Sequence, residues 1–406
     1  MKQQIFGATL AELRKKSGMT QAAVAKLLNV SNRAVSKWEN GLGFPEISLL
    51  SEIAAVFGVT VDYLLTGERR GITVAGNILT DVVNNIDAYP SSGMMTDVVS
   101  TSRHVGGCVP NICIDLAKID KSLPLSAIGC IGEDAYGGYV LSQLQRYRID
   151  TGKVVISQTA PTGFSTIMNP PSGERTIFLT RGANAEFHPK MVDVSDLHCA
   201  ILHIGYIFLL DEFDAYDAEY GTVMARFLHD VQSRGIQTSI DVFSNLPVDY
   251  PGKVIPALKY CNYVIIDEVE CCGIWGMSPR YENGNLNRSV IREAMEQTMS
   301  CGVADKVFVH SREAMFCLDK SGRFTTLASL ILKPDAIKGN VGVGDAFCAG
   351  TLYGIYQKMS DAEILAFASA AAACNMRAEN AVDGMLDRNA LMELMRTGKR
   401  KDLELR

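Results

Sequence analysis

The sequence predicts an all-helical head joined to a large α/β body, built on a mostly parallel sheet with helices on both faces. Three observations carry this. The chain has 406 residues, more than one ordinary domain holds and suited to a small domain plus a large one. Its first 67 residues read as short amphipathic helices separated by tight turns. From Ile72 onward, short apolar runs alternate with helix-length segments, the pattern of strands joined by crossover helices. The predicted divisions are a head over 1–67, a linker over 68–71, a body over 72–395 and a charged tail over 396–406.

Composition limits the function classes. With 47% apolar and 21% charged residues the chain can bury a sizeable core. It holds no run of about 18 uncharged apolar residues, and its start leads straight into a charged helical pattern, so a cytoplasmic protein without a membrane span is expected. The 11 cysteines form no CxxC pair, which favours reduced, buried thiols over disulfides or zinc. Residues 1–70 carry a net charge of +3 and the remainder −9, so a polyanionic partner belongs to the head alone.

In the head, Ile5, Leu10 and Leu13 mark a first helix ending near Gly18. Thr20 is placed to cap a second, carrying Val24, Leu27 and Leu28, and Ser31 a third over Ser31–Glu39. Two further helices are expected around Ile47–Phe57 and Val61–Leu65. The third helix should turn Ala34, Val35 and Trp38 inward and Asn32, Arg33, Ser36 and Lys37 outward. Two short helices with a basic, polar face on the second suit the major groove of double-stranded DNA, where Arg and Lys meet guanine or phosphate and Asn meets adenine. A bundle used only for dimerisation would show the same periodicity. The stretch from Thr20-Gln21 to Trp38-Glu39-Asn40-Gly41, with Pro45 and Leu49, resembles the Cro/phage-repressor (XRE) helix-turn-helix family over about 60 residues. That resemblance makes Gln21, Asn32, Arg33 and Lys37 the expected DNA contacts, and implies pairing into a homodimer for useful affinity.

In the body, Ile72–Ala75, Leu125–Ile128, Ala200–Ile204, Thr238–Val242, Tyr263–Ile266 and Val307–Val309 read as sheet strands. Gly163–Asn169 and Glu174–Thr180, around Pro170-Pro171-Ser172-Gly173, read as a projecting antiparallel hairpin. The segment Asn340-Val341-Gly342-Val343-Gly344-Asp345-Ala346-Phe347 concentrates the chemistry. Two glycines let the backbone approach a ligand, the amides of a helix start attract an anion, and an acid beside them is placed to take a proton from an attacking hydroxyl. Alone, such a turn is equally well a tight turn with a capping acid.

Other segments agree with it: Gly106-Gly107 before Asn111, then Gly129-x-Ile131-Gly132-x-Asp134-x-x-Gly137, Pro161-Thr162-Gly163 and Gly182-Ala183-Asn184. In this order they resemble the ribokinase-like (PfkB) carbohydrate kinases from about residue 72 to 385. The resemblance implies a ribokinase-like α/β sandwich with a small β lid, ATP and Mg²⁺, and phosphorylation of a hydroxyl on a sugar or related polyol. It makes Asp345 the catalytic base and the amides of Gly342, Val343 and Gly344 an anion hole. It gives Asp81, Gly107 and Asn111 to the substrate hydroxyls, and Glu270 with Asp267 to the metal, through water.

Three departures stand out. Asp267 replaces the family's Asn, Gly339-Asn340 replaces the usual Asp-Thr, and His310-Ser311-Arg312 replaces a glycine-spaced loop where a bulky Arg narrows or reshapes the nucleotide pocket. The sequence is therefore compatible with an active kinase that binds DNA, with a regulator whose kinase-like body senses a ligand without turnover, and with a metabolic kinase whose head only dimerises it.

Overall fold

Five helices make the head: α1 (Lys2–Lys16), α2 (Gln21–Leu27), α3 (Asn32–Glu39), α4 (Ile47–Phe57) and α5 (Val61–Thr66). The structure, a computed structural model, describes residues 2–57, 59, 61–67, 70–171, 175–243 and 249–402. The chain divides into two compact units, Met1–Arg70 and Gly71–Arg406. Of the expected linker, residues 68 and 69 lie outside the described residues.

Both helix caps in the head fall where the sequence places them. The Thr20 hydroxyl accepts the Ala23 N–H at 3.1 Å, and the Ser31 hydroxyl accepts that of Ala34 at 3.2 Å. Phe6, Leu10, Val24, Val35, Ile53 and Leu64 are fully buried between the helices, each contributing about 1.5–3 kcal/mol of transfer free energy. A Cβ on Gly7 would sit 2.3 Å from the Trp38 carbonyl oxygen, so α1 and α3 meet backbone to backbone. The Arg14 guanidinium binds both Glu39 oxygens, at 2.6 and 2.9 Å, and the Met19 carbonyl at 3.0 Å, tying α1 to α3.

The body is a nine-stranded sheet in the order 324–328, 314–319, 306–310, 263–267, 237–242, 199–207, 71–76, 125–132 and 150–157. All neighbours from 306–310 to 150–157 run parallel, and two antiparallel strands extend the other edge. Alternate side chains feed two cores, one on each face. Ile72, Val74 and Ile265 pack under the helices Cys108–Ile119 and Val343–Tyr356, and Ala75, Val264 and Ile266 pack under Val223–Gln232 and Tyr250–Leu258. This is the predicted fold class.

The lid is larger than the expected hairpin. Gly163–Asn169 and Thr176–Thr180 do pair antiparallel, but Leu79–Ile86 and Val98–Gly106 join them in a four-stranded sheet. The tip residues Gly173 and Glu174 lie outside the described residues. The charged tail expected over 396–406 begins inside a helix. A helix runs from Arg388 to Thr397, after which the Ile331 N–H donates to the Lys399 carbonyl and the Lys401 N–H to that of Ser329, laying the chain along Ser329–Ile331. No helix among the described residues is long and apolar enough to cross a membrane. All eleven cysteines are free thiols, ten buried and Cys301 half-buried.

Candidate active site

The candidate residues converge at the carboxyl ends of the parallel strands, where open α/β sheets leave a crevice. Gly76, Asp267 and His310 end three strands, and Tyr206 and Asp241 lie one residue before the ends of two more. The helix Val343–Tyr356 points its start at them. Gly342 caps it in the left-handed conformation, φ 74°, and a Cβ there would lie 2.5 Å from Ala381, so only glycine makes this turn. No side chain caps this helix start. The first amides of a helix have no intrahelical acceptor, so those at residues 343–345 stay open to an anion.

Asp345 lies in the first turn, buried, between two donors. The Tyr206 hydroxyl donates to Oδ1 at 2.5 Å and the Asn111 amide to Oδ2 at 2.8 Å. Burial pushes the Asp345 carboxyl above the ordinary carboxylate range, and the two hydrogen bonds oppose that shift. The Asn111 oxygen is buried with no hydrogen-bond partner, an acceptor directed into the same site.

Gly107 precedes the Asn111 helix at φ 85°; a Cβ on it would meet the Asn77 carbonyl oxygen at 2.6 Å. Asp81 comes from the lid strand Leu79–Ile86, buried, accepting the Ser165 hydroxyl. A Cβ on Gly106 would lie 2.5 Å from an Asp81 oxygen, which explains the glycine there. Burial, then the nearby Asp345 charge, push the Asp81 carboxyl up to about 6, against the Ser165 hydrogen bond.

The structure thus brings Asp345, Asn111, Gly107 and Asp81 to one site. The two acids assigned to the metal hold each other's backbone, and only one of them reaches the cleft. Asp267 Oδ1 accepts the Glu270 N–H at 2.7 Å, and Glu270 Oε2 accepts the Asp267 N–H at 2.8 Å, a reciprocal capping box at the start of helix Glu268–Gly273. Asp267 lines the cleft, whereas the buried Glu270 does not. Glu268 also lines it and is paired with Arg280 at 2.6 Å.

That cleft, of about 1090 Å³, lies beside the anion-hole turn and is bounded by Asp267, His310, Arg312, Lys338, Val343 and the lid residue Arg175. Arg312 is exposed, and its carbonyl accepts the Lys401 ammonium at 2.8 Å, so the C-terminal segment fixes this departing loop. The His310 ring packs against Phe347 with centroids 4.8 Å apart, and burial lowers its pKa to about 4, leaving it neutral near pH 7.

Several motif residues position rather than react. Asn77 Oδ1 accepts the Tyr206 N–H at 2.9 Å, its amide donates to the Leu209 carbonyl at 3.2 Å, and its carbonyl accepts the Val109 N–H at 3.1 Å. Asn184 clamps Ile78 through its N–H and carbonyl, each at 2.9 Å. Asp134 accepts the Tyr136 and Gly137 amides at its own helix start and the Thr162 amide, at 2.7 Å, where the lid begins. Sequence reasoning missed Tyr206 and Asp241. Tyr206 follows a glycine at a strand end, a signal too common to single out. Asp241 closes the apolar run Thr238–Val242, where a buried acid is the anomaly that marks it.

In the head, Asn32, Arg33 and Lys37 are exposed on α3, while Ser36 is half-buried. Val35 and Trp38 are buried as expected and Ala34 is half-buried. The Gln21 amide donates to Glu39 at 2.8 Å, so part of this side chain is committed inside the head.

Comparison with known proteins agrees with this fold. A ribokinase of Arabidopsis thaliana is 22% identical over 328 residues, 80% of this chain and 81% of the relative. Its structure complexed with ribose and ATP superposes with a TM-score of 0.67 at 20% identity, covering 81% of this chain and 99% of that one. A Methanocaldococcus jannaschii nucleoside kinase of the ribokinase family gives 0.58 at 16% identity, covering 81% and 99%. The head is 44% identical over 70 residues to the transcriptional activator BcrR of Enterococcus faecalis, 17% of this chain and 34% of that protein. Residues 10–64 match the helix-turn-helix family, and residues 70–231 and 256–388 match the pfkB family of carbohydrate kinases. The chain therefore belongs to the pfkB carbohydrate kinase family and carries an XRE-type helix-turn-helix domain at its N-terminus.

Proposed function

We propose that this protein transfers the γ-phosphoryl group of ATP to a hydroxyl of a sugar or related polyol, and that its head binds a DNA operator as a regulator of transcription. One observation carries the kinase reading: a buried carboxylate, Asp345, held by two donors in the first turn of a helix whose leading amides are uncapped. The sugar hydroxyl approaches Asp345, which takes its proton as the new O–P bond forms and the bond from Pγ to the β-phosphate oxygen breaks. The amides of Gly342, Val343 and Gly344 stabilise the charge on the transferring group. The unpartnered Asn111 oxygen, the backbone at Gly107 and the Asp81 carboxylate hold the remaining hydroxyls. ATP occupies the cleft beside Val343. Mg²⁺, when bound, offsets phosphate charge; as a hard cation it suits the oxygen of Asp267 at the cleft wall, with Glu270 holding that turn.

The exposed Asn32, Arg33 and Lys37, with Gln21 at the α2 start, support DNA contact through α3. Pairing of two copies is supported by the lid's edge strand Thr176–Thr180, whose Ile177, Phe178 and Leu179 are all exposed. The second reading, a ligand sensor without turnover, is favoured by the additional carboxylate of Asp267 at the cleft. The deciding experiment incubates the full chain with ATP, Mg²⁺ and a panel of sugars and nucleosides. Phosphorylation of at least one is expected. Binding of a sugar with no transfer to any would replace the kinase with the sensor.

A further inference from the structure

Beneath the catalytic carboxylate, three side chains of metal-ligating type meet from three separate elements. His203 lies mid-strand in Cys199–Ile207, Asp241 lies two residues beyond the Ser239 that pairs with His203, and Cys348 lies one helical turn past Asp345. Side chains two apart on a strand share a face, so His203 and Asp241 both point at the helix bearing Cys348. One donor atom from each falls within 4.8 Å of the others. We propose that His203, Asp241 and Cys348 form a buried binding site for one transition-metal dication of the zinc class, distinct from the nucleotide's Mg²⁺.

The geometry suits such an ion. Around a tetrahedral zinc, with bonds of about 2.0 Å to nitrogen and 2.3 Å to sulfur, neighbouring ligand atoms stand roughly 3.5 Å apart. Cys348 Sγ is 3.6 Å from His203 Nε2 and 3.8 Å from Nδ1. His203 Nδ1 is 3.0 Å from the Ser239 hydroxyl, the kind of outer partner that fixes an imidazole's tautomer and leaves its other nitrogen for the metal. A thiolate, an imidazole and a carboxylate together select zinc, cobalt or nickel over magnesium, which prefers oxygen alone.

The charge balance points the same way. Asp241 is buried near Asp345 and Asp267, and no lysine or arginine pairs with it among the described residues. A carboxylate buried in such company either takes up a proton or is held ionised by a bound cation, and a dication beside His203 and Cys348 would supply the second. His203 and Cys348 are essentially fully buried, whereas Asp241 keeps 8% of its surface, so the ion enters past Asp241. The fourth position is left for water or a substrate oxygen.

The test uses the full chain, stripped with a chelator and titrated with Co²⁺ alone. One equivalent should bind with a thiolate-to-cobalt charge-transfer band in the near ultraviolet, and Zn²⁺ should bleach it. Ser239→Ala should weaken binding about 10–100-fold, as loss of an outer partner does, and Cys348→Ser by more than that, with the band abolished. Cys301→Ser, altering the half-buried cysteine, should leave band and affinity unchanged. If Cys348→Ser does not fold, His203→Gln provides the same loss of affinity. The proposal fails if folded native protein gives no band and retains no metal after desalting, or if the band survives in Cys348→Ser.

Discussion

The head and the body place the side chains proposed to work in them oppositely. In the head, the Asn32, Arg33 and Lys37 side chains stand exposed and form no hydrogen bond or ion pair among the described residues, while the half-buried Arg14 and Glu39 hold helices together. In the body, Asp345, Asn111 and Asp81 are buried. The difference is what the proposed ligands call for. A DNA duplex is too large to enclose, so its readers wait in water and lose solvent only on binding. A phosphoryl group in flight must be shielded from water, so its base is desolvated in advance and carries a perturbed proton affinity. In the head, then, a functional mutation should spare stability; in the body, function and stability are set against each other.

The largest break in this comparison should come from Asp345→Asn. Removing a positioned base costs about 10²–10⁴-fold in rate. Phosphate transfer should fall by that factor with sugar binding and operator affinity retained. Transfer unchanged in the variant would remove Asp345 from the chemistry.

Next in size is Glu39→Ala, which should hurt the head's fold rather than its chemistry. Burial alone would raise the Glu39 carboxyl's pKa, but the hydrogen bonds from Arg14 and Gln21 outweigh it and leave it lowered. Deleting one partner of this half-buried pair strands the other charge and costs about 1.5–3 kcal/mol. Calorimetry should show the head's unfolding transition moved to lower temperature and the body's unmoved. Equal movement of both would show that the two units do not unfold separately.

A smaller effect is expected for Arg33→Ala. An exposed reader of base or phosphate contributes about 1–3 kcal/mol to binding, so operator affinity should drop by that amount while melting temperature and phosphate transfer stay constant. A gel-shift titration at fixed salt measures it. Unchanged affinity for the specific site would take α3 out of the groove.

How much of this was legible in the sequence differs along the same line. The head's caps and buried face follow from Thr20, Ser31, Val35 and Trp38, because capping and helical periodicity are local. The parallel strands were legible because burial on both faces makes them continuous apolar runs such as Ile72–Ala75. The lid strand Val98–Gly106 was not, since seven of its nine residues are not buried and Ser100–His104 is polar throughout. Its pairing partner, Leu79–Ile86, carries Asn84 and Asn85, whose amide groups bond across the sheet to Thr101, Ser100 and Asn169. At the site, the glycine turn and Asp345 were readable as a local pattern. Tyr206 and Asp241 reach it from distant strands, and no spacing along the chain encodes that.

The finest test concerns Asp81, where function and stability oppose each other directly. Its carboxyl titrates at about 6 in the fold, against an ordinary 3.8, chiefly because it is buried. The fold therefore binds this proton more tightly than the unfolded chain does, so stability from this group is greatest below about pH 4, declines between 4 and 6, and stays low above 6. A shift of that size corresponds to at most about 3 kcal/mol. Asp81→Asn removes the charge, so the body's melting temperature should rise at pH 8 and match the native protein's near pH 4. Sugar affinity should behave in reverse. The native protein, needing the ionised acceptor, should lose about tenfold per pH unit below 6, whereas the variant should bind weakly with no such slope. Parallel melting curves across that range would mean that the Asp81 charge does not burden the fold, and a native affinity flat from pH 5 to 7 would mean that the sugar does not use it.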